Sequence, residues 1–291
     1  MLNLREDDPE RTLVGITYSV EDPAGKGIAD FIRKIAKSKE FQVTKSTASW
    51  FLEELNALLV GFKEDVVYFD FLDEVLPNVN FYVILSRHKA SSGIKSLTVH
   101  HTGNPTSSAV VGGRPKELSI ANPVFSYLVL RKLDVLAVNE LNDFEVVYEV
   151  THHGPTNLQK PLTFVEIGSS ENEWFLEKAH EVVGEAVVTA LRELNSPIDC
   201  VPTVGFGGPH YADGFTKRAL RYRECYGHII SKYAIKEIRE SEELKRVVKE
   251  AVSRSKPTPV KAIIMRKIGS ESRSAIIEEL RSLSVPYEVI D

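Results

Sequence analysis

The chain has 291 residues, 43% hydrophobic and 26% charged, with a formal net charge of −5. It is long enough to bury a large core as one large domain or two smaller ones, and its charge excludes a surface that is basic all over, leaving phosphate to a local patch. Two cysteines without a C-x-x-C pair, Cys200 and Cys225, argue against a disulfide scaffold or Cys-rich zinc site and for a reducing compartment; the polar start MLNLREDDPERTL has no apolar signal region and no run approaches the roughly 18 apolar residues that span a bilayer, so a cytoplasmic protein without membrane contact is expected.

TLVGITY (12–18) reads as a buried strand, DPAG (22–25) as a turn, and Ile28, Phe31, Ile32 and Ile35 as the apolar face of a helix over about 26–37. VVYFD (66–70), FYVILS and SLTVHH (96–101) are strand candidates. LSIANPVFSYLVLRKL (118–133) is an apolar helix with Pro123 near its first turn, where the missing N–H does no harm. FEVVYEV (144–150) and LTFVEI (162–167) are strands around the loop THHGPTNLQKP. Ser170-Glu171-Asn172-Glu173 is a capping box opening a helix to about Leu194 whose buried side includes Phe175. TVGF (203–206) is a strand running into Gly207-Gly208, with helices at about 214–223 and 228–239. SRSKPTP (253–259) is a linker, followed by strand, helix and strand. This alternation implies an α/β fold: a three-layer α/β/α sandwich with a mostly parallel (mixed) sheet over residues 1–252, and a small C-terminal β-α-β unit, 253–291, packed on it.

Seven of the eight histidines sit beside turns or strand ends: His88, His100, His101, His152, His153, His210 and His228. In such sheets chemistry collects at the carboxyl ends of strands. Several imidazoles at one rim suggest a bound transition metal, most simply zinc, although a lone histidine at a strand end is ordinarily a hydrogen-bonded structural residue. Adjacent side chains in a strand point to opposite faces, so one member of each HH pair is expected to face a site and the other to support it. His180, inside a helix, is read as structural. Glu166 ends an apolar strand, where a carboxylate needs a partner or a cation; Asp213 and Glu224 are the other acids considered. His101, His153, His210 and Glu166 are therefore expected to converge as catalytic residues and metal ligands. H-E-x-x-H, G-x-S-x-G, Walker A and G-x-G-x-x-G are absent from the sequence.

The set SRH (86–88), HTGNP (101–105), HHGPT (152–156) and GGPHYADGFT (207–216) followed by Gly227-His228, together with DPAGKGIA (22–29) and ELSIANP (117–123), resembles the D-aminoacyl-tRNA deacylases of the archaeal and plant type, from about residue 12 to about 240. Asp213-Gly214 departs from that pattern, standing where a proline and a basic residue are expected. The resemblance implies a sandwich similar to peptidyl-tRNA hydrolases, zinc dependence with one or two ions, and hydrolysis of the ester between a D-amino acid and the terminal ribose of tRNA as proofreading. It implies that His88, Thr102, Asn104, Thr156, Gly207, Gly208, Tyr211 and His228 line the substrate site, with backbone N–H groups of Gly207-Gly208 holding the oxyanion. Arg114, Lys116, Lys217, Arg218, Arg221 and Lys232 are expected to meet the acceptor end of the tRNA, the only partner implied; a monomer is expected. The competing readings are a related hydrolase of the same fold group, either a peptidyl-tRNA hydrolase or a metal-dependent aminoacyl peptidase, and a tRNA-binding module without catalysis.

Overall fold

The structure, a computed structural model, describes residues 12–194 and 196–291; most of the N-terminal stretch read above for a signal region lies outside them. The chain runs through β1 (Val14–Ser19), α1 (Pro23–Ile35), β2 (Ser38–Glu40), β3 (Ala48–Leu52), β4 (Ala57–Phe62), α2 (Leu72–Val75), β5 (Phe81–Arg87), β6 (Ser96–His100), β7 (Gly103–Asn104) and β8 (Glu117–Leu118). It continues through α3 (Pro123–Glu140), β9 (Glu145–Tyr148), β10 (Leu162–Gly168), α4 (Glu171–Trp174), α5 (Glu177–Glu193), β11 (Val201–Phe206), α6 (Asp213–Tyr222) and β12 (Glu224–Ile230). The last elements are α7 (Lys232–Glu237), α8 (Ser241–Ser253), β13 (Lys261–Met265), α9 (Ser270–Ser282) and β14 (Tyr287–Ile290).

The strands form a large sheet, β2-β3-β4-β1-β5-β10-β6-β9, and a second one, β12-β11-β13-β14. The expected α/β class with a mostly parallel sheet is what the chain adopts. In the large sheet β4, β1, β5 and β10 are mutually parallel, but β6 pairs antiparallel to β10 and β9 runs parallel to β6. The strand after the 253–259 segment, β13, pairs with β11, so the C-terminal β-α-β unit completes the second sheet. That segment is not a loose spacer: Ser255 is fully buried, donates to the Ala251 carbonyl and accepts from the His228 N–H.

Helix α3 joins the two sheets. Residues Phe125 to Leu130 are all buried, because β6 and β9 lie on one side of the helix and β11 and β12 on the other. A helix that is apolar all round belongs in such a place. Asn122 caps it and Pro123 starts it. Helices α1 and α5 cover the same face of the large sheet as α3, in one continuous core. The other face is covered by α2, the turn at Val66–Tyr68 and loops around Leu158, rather than by a full helical layer.

Four local readings need correction. VVYFD is a 3-10 turn capped by Asp65, not a strand; a short apolar run does not distinguish the two. The capping box is real, but it opens the short α4, and the chain breaks at Phe175, which is 66% exposed. His228 lies in strand β12, not in a helix: its neighbours Cys225 to Ile230 are buried on both faces, which erases the periodicity that separates strand from helix. Cys200 and Cys225 are bonded to each other, with 5.7 Å between their Cα atoms. The edge of β11 meets β12 there, so cysteine usage gives no argument for a reducing compartment. Among the described residues no helix is long and apolar enough to cross a membrane.

Glu224, fully buried at the start of β12, accepts two hydrogen bonds from Arg218 (2.7 and 2.8 Å), one from Lys261 (2.8 Å) and one from the Tyr226 hydroxyl. Arg218 also bridges to Glu288 on β14. This knot ties α6 to three strands of the second sheet. Arg218→Ala is therefore expected to lower the unfolding free energy by about 1–3 kcal/mol, because it removes charge-assisted bonds from a buried carboxylate that keeps two other donors. Denaturant midpoints measure this; an unchanged midpoint would show that the knot contributes nothing.

Candidate active site

The site lies over the face of the large sheet, around β10, rather than at its carboxyl rim. Phe164 and Glu166 alternate onto this face of β10, and their antiparallel partners His100 and Thr98 on β6 share it. Because β6 and β9 run against β10, their ends reach back across the sheet. Glu149, next after β9, continues the β6–β9 register opposite His100. His88 follows β5, held by its N–H to the Ile167 carbonyl and by Trp174, whose indole donates to the His88 carbonyl (2.9 Å). Asp22 fixes the residue before it: its carboxylate caps α1 and accepts the Arg87 N–H (2.8 Å). His210 is brought in by a strap. The Val150 N–H donates to the His210 carbonyl, and the Ala212 N–H to that of Tyr148.

His152 and His153 both reach the cluster because they are not in a strand. His153 has φ of 45°, a left-handed turn that puts the two rings on the same side, with centroids 4.3 Å apart. Gly154 then allows this loop to press against the Gly112-Gly113 turn; a Cβ on Gly154 would lie 2.3 Å from the Gly113 nitrogen. Asn104 donates to the carbonyls of Gly112 and Arg114, and Thr156 donates to Glu117.

Two carboxylates stand at the centre, with side chains 0% (Glu149) and 3% (Glu166) exposed. Glu149 meets His210 Nε2 at 3.0 Å, His88 Nδ1 at 3.1 Å and His152 Nε2 at 3.4 Å. Glu166 meets His88 Nδ1 and His100 Nε2, each at 3.5 Å. Burial pushes the Glu149 carboxyl up, but the His210 contact and the charges of His88 and His100 outweigh it and hold the group below the usual carboxylate range. Glu166 is also held well below the usual carboxylate range: burial opposes this, and His100 and His88 prevail. Burial lowers His88 and His100, yet the Glu166 contact and the two carboxylate charges leave both raised. Burial and neighbouring rings push His152 well down and His153 to about 4.

The donor set suits a metal ion. Nδ1 of His153 donates to the Gly154 carbonyl (2.7 Å), Nδ1 of His152 to that of Val150 (2.8 Å), and Nδ1 of His100 approaches that of His101 (3.3 Å). A carbonyl only accepts, so each ring carries its proton on Nδ1 and offers Nε2, the arrangement that orients metal-binding imidazoles. Among the described residues Nε2 of His88 has no hydrogen-bond partner, and the oxygens of Glu149 are met only by imidazole nitrogens. Among the described residues three groups bring ligand atoms within 4.8 Å of one another: His100, His152 and His153; His88, Glu149 and His210; and His100, Glu149 and Glu166. Imidazole nitrogens beside carboxylate oxygens suit a divalent transition metal. A cleft of about 300 Å³ opens beside His152 and His153, walled by Pro105, Val110, Val111, Tyr233 and Glu237.

The family model for D-aminoacyl-tRNA deacylase matches residues 75–288. The chain is 44% identical over 280 residues to the D-aminoacyl-tRNA deacylase of Desulfurococcus amylolyticus, covering 94% of this chain and 100% of the relative. It is 42% identical to that of Staphylothermus marinus, covering 92% and 95%. This chain belongs to the D-aminoacyl-tRNA deacylase family. A solved structure described as a conserved protein of unknown function shares the fold, with TM-score 0.83 and 30% identity, covering 96% of this chain and 95% of that one.

Against the deacylase motifs, the structure brings together His153, His210, Glu166 and His88, and adds His100, His152 and Glu149. It does not bring in His101. In β6 the alternation expected for adjacent residues holds, and His101 takes the opposite face, where its Nδ1 donates to the Gly227 carbonyl (3.0 Å) near His228. His228 is fully buried between Thr151 and the Ser119 carbonyl, a structural position. Thr102 donates to the Pro155 carbonyl and Thr156 to Glu117, so both brace loops, whereas Asn104 braces the Gly112-Gly113 turn and also lines the cleft. Tyr211 touches Ser96 and lies beside His88 and His210. The Gly207 N–H is spent on the Ile230 carbonyl (2.7 Å), which removes it as an oxyanion donor; Gly208 turns at φ of 83° and accepts from the Lys232 N–H. His180 is structural, bonded to the Trp174 carbonyl and packed on Gly27. Asp213 starts α6 and stays exposed.

Of the expected tRNA cations, Arg218 is consumed by Glu224 and Glu288, Lys116 pairs with Glu243 (3.1 Å), and Arg114 lies 3.9 Å from Glu117. Arg221 lies over the Tyr222 ring, and Lys217 and Lys232 are exposed. Sequence reasoning passes over Glu149, although it shares the signal of Glu166, a carboxylate in an apolar strand, and stands just ahead of Thr151-His152-His153.

Stability from the raised pKa values of His88 and His100 is complete below the ordinary imidazole value and fades as pH rises through the raised ones. A metal must displace those protons. Zinc titration of the protein is therefore expected to release acid, and zinc affinity to rise from pH 6 to pH 8. Affinity independent of pH, with no proton release, would exclude these rings as ligands.

Proposed function

We propose that this chain hydrolyses the ester bond of D-aminoacyl-tRNA, releasing the D-amino acid and tRNA over a broad range of side chains, as a proofreading step. The observation that carries the reading is the trio His100, His152 and His153, three Nε2 atoms presented by rings whose Nδ1 protons face backbone carbonyls, beside a cleft open to substrate. The trio would hold zinc, with Glu166 next to it and one or two ions in the whole cluster. Zinc bound there would supply Lewis acidity and a water acidic enough to attack an ester near neutral pH.

The chain's own groups do the rest. His210 is partly open to solvent, with a side chain 37% exposed, and its Nε2 faces Glu149 at 3.0 Å. Its Nδ1 takes the proton of the attacking water and returns it to the leaving ribose oxygen, while Glu149 accepts from Nε2–H and fixes the ring. The Tyr233 hydroxyl, 3.4 Å from Nδ1 of His210, orients the other edge. The walls at Val110, Val111 and Tyr233 surround the aminoacyl group and exclude the L-isomer by collision, which sets specificity without a dedicated polar contact.

The protein is expected to deacylate D-Tyr-tRNA and leave L-Tyr-tRNA intact. Chelation is expected to abolish turnover and zinc to restore it. Glu149→Gln, close in shape, is expected to reduce kcat by at least roughly a hundredfold with the fold intact by circular dichroism. Equal turnover of the two isomers, or full activity in protein whose metal content reads zero, would refute the reading.

A further inference from the structure

A second concentration of charge lies one helix away from the histidine cluster. Lys232 and Lys236 on α7, Arg239 just after it and Lys267 after β13 line a cleft of about 750 Å³ between α7, the start of α8 and the start of α9. Among the described residues none of the four has an ion pair or a side-chain hydrogen bond, whereas Arg218, Lys245, Arg246 and Lys261 are all paired with carboxylates. The acids on the wall are Glu240 and Glu271, so four cations face two anions. Helix α9, thirteen residues long, begins at this cleft behind Gly269, which has φ of 78°, and no side chain caps it. Its first N–H groups therefore open toward the same space, and a helix N-terminus favours an anion.

Helix α7 is the wall between this cleft and the one at the histidines. Tyr233, Ala234 and Glu237 line the histidine side, and Lys232, Ile235 and Lys236 line the basic side. The two spaces are thus separated by one helix, about 10 Å wide. A polyanion whose terminal group sits beside His152 and His153 meets these cations next.

We propose that the basic cleft binds the phosphodiester backbone of the single-stranded 3′ end of the tRNA whose terminal ester is cut at the histidine cluster. This rests on the deacylase reading and extends it to residues that the family resemblance and the cationic helix α6 did not single out: Arg239 and Lys267. The cleft suits a flexible backbone because its cations come from two separate segments, 232–239 and the loop after β13, around a concave space.

The test uses the full chain carrying K236A/K267A. Binding of uncharged tRNA is followed across salt concentrations, beside turnover of D-Tyr-tRNA and of a phosphate-free ester, D-tyrosyl adenosine. The salt slope is expected to fall by roughly 0.7 for each phosphate no longer neutralised. KM for D-Tyr-tRNA is expected to rise at least fivefold with kcat within twofold, and turnover of D-tyrosyl adenosine to stay unchanged. K236R/K267R is expected to restore the slope. Lys34→Ala, on α1 and outside the cleft, is expected to leave it unchanged. An unchanged slope and KM in K236A/K267A overturn the proposal, as does loss of binding to a poly-glutamate peptide without any change for tRNA. Failure of the deacylase reading looks different: the unmodified protein then leaves both esters intact, while the slope still reports on the cleft.

Discussion

Glu149 and Glu166 are two carboxylates buried on one face of a sheet, and a buried carboxylate is costly to leave uncompensated. Each is met by imidazoles from other segments: His88 touches both, His100 meets Glu166, and His152 and His210 meet Glu149. The compensation divides the rings into two kinds. His88 and His100 are drawn toward the charged form by the carboxylates, while His152 and His153 are pressed toward the neutral form by burial and by the other rings. A cation entering the cluster would replace the protons on the first kind and find lone pairs waiting on the second.

Much of the surrounding architecture serves to bring these segments together. The reversal of β6 and β9 against β10 carries His100 and Glu149 back over the sheet. The left-handed residue His153 turns two neighbouring rings to one side, and Gly154 leaves room for the loop behind them. Asp22 and Trp174 hold the ends of His88, and the strap through Val150 and Ala212 holds His210. These supports use backbone groups, which move less than long side chains, so the rings are placed before any ligand arrives.

Charge is used in two ways elsewhere. Arg218 and Lys261 are spent inside, neutralising the buried Glu224 and joining β12 to β14 through Glu288. Others are left open beside α7. The same residue type thus carries architecture in one place and a ligand surface in another, and only the presence of a nearby carboxylate separates the two.

Periodicity and punctuation made several elements readable from the chain alone: β1, α1, β5, β10, the Pro123 start of α3 and the capping box at Ser170 all lie where local rules put them. The family was also readable, because motifs such as HHGPT and GGPHYA keep their spacing and order, and so was the need of Glu166 for partners, since a carboxylate in an apolar strand demands them. The rest depended on contacts between distant segments. Which histidine of each pair faces the cluster follows from whether the backbone is a strand, as at His100-His101, or a left-handed turn, as at His152-His153. The position of the site on a sheet face instead of a rim follows from the direction of β6, and strand direction is chosen by pairing with β10, far along the chain. Arg218 looks like its neighbours on α6 until Glu224 and Glu288 fold beside it. Cys200 and Cys225 likewise meet only when β11 and β12 pair, because a bond between residues 25 positions apart is decided by the sheet that closes the loop between them.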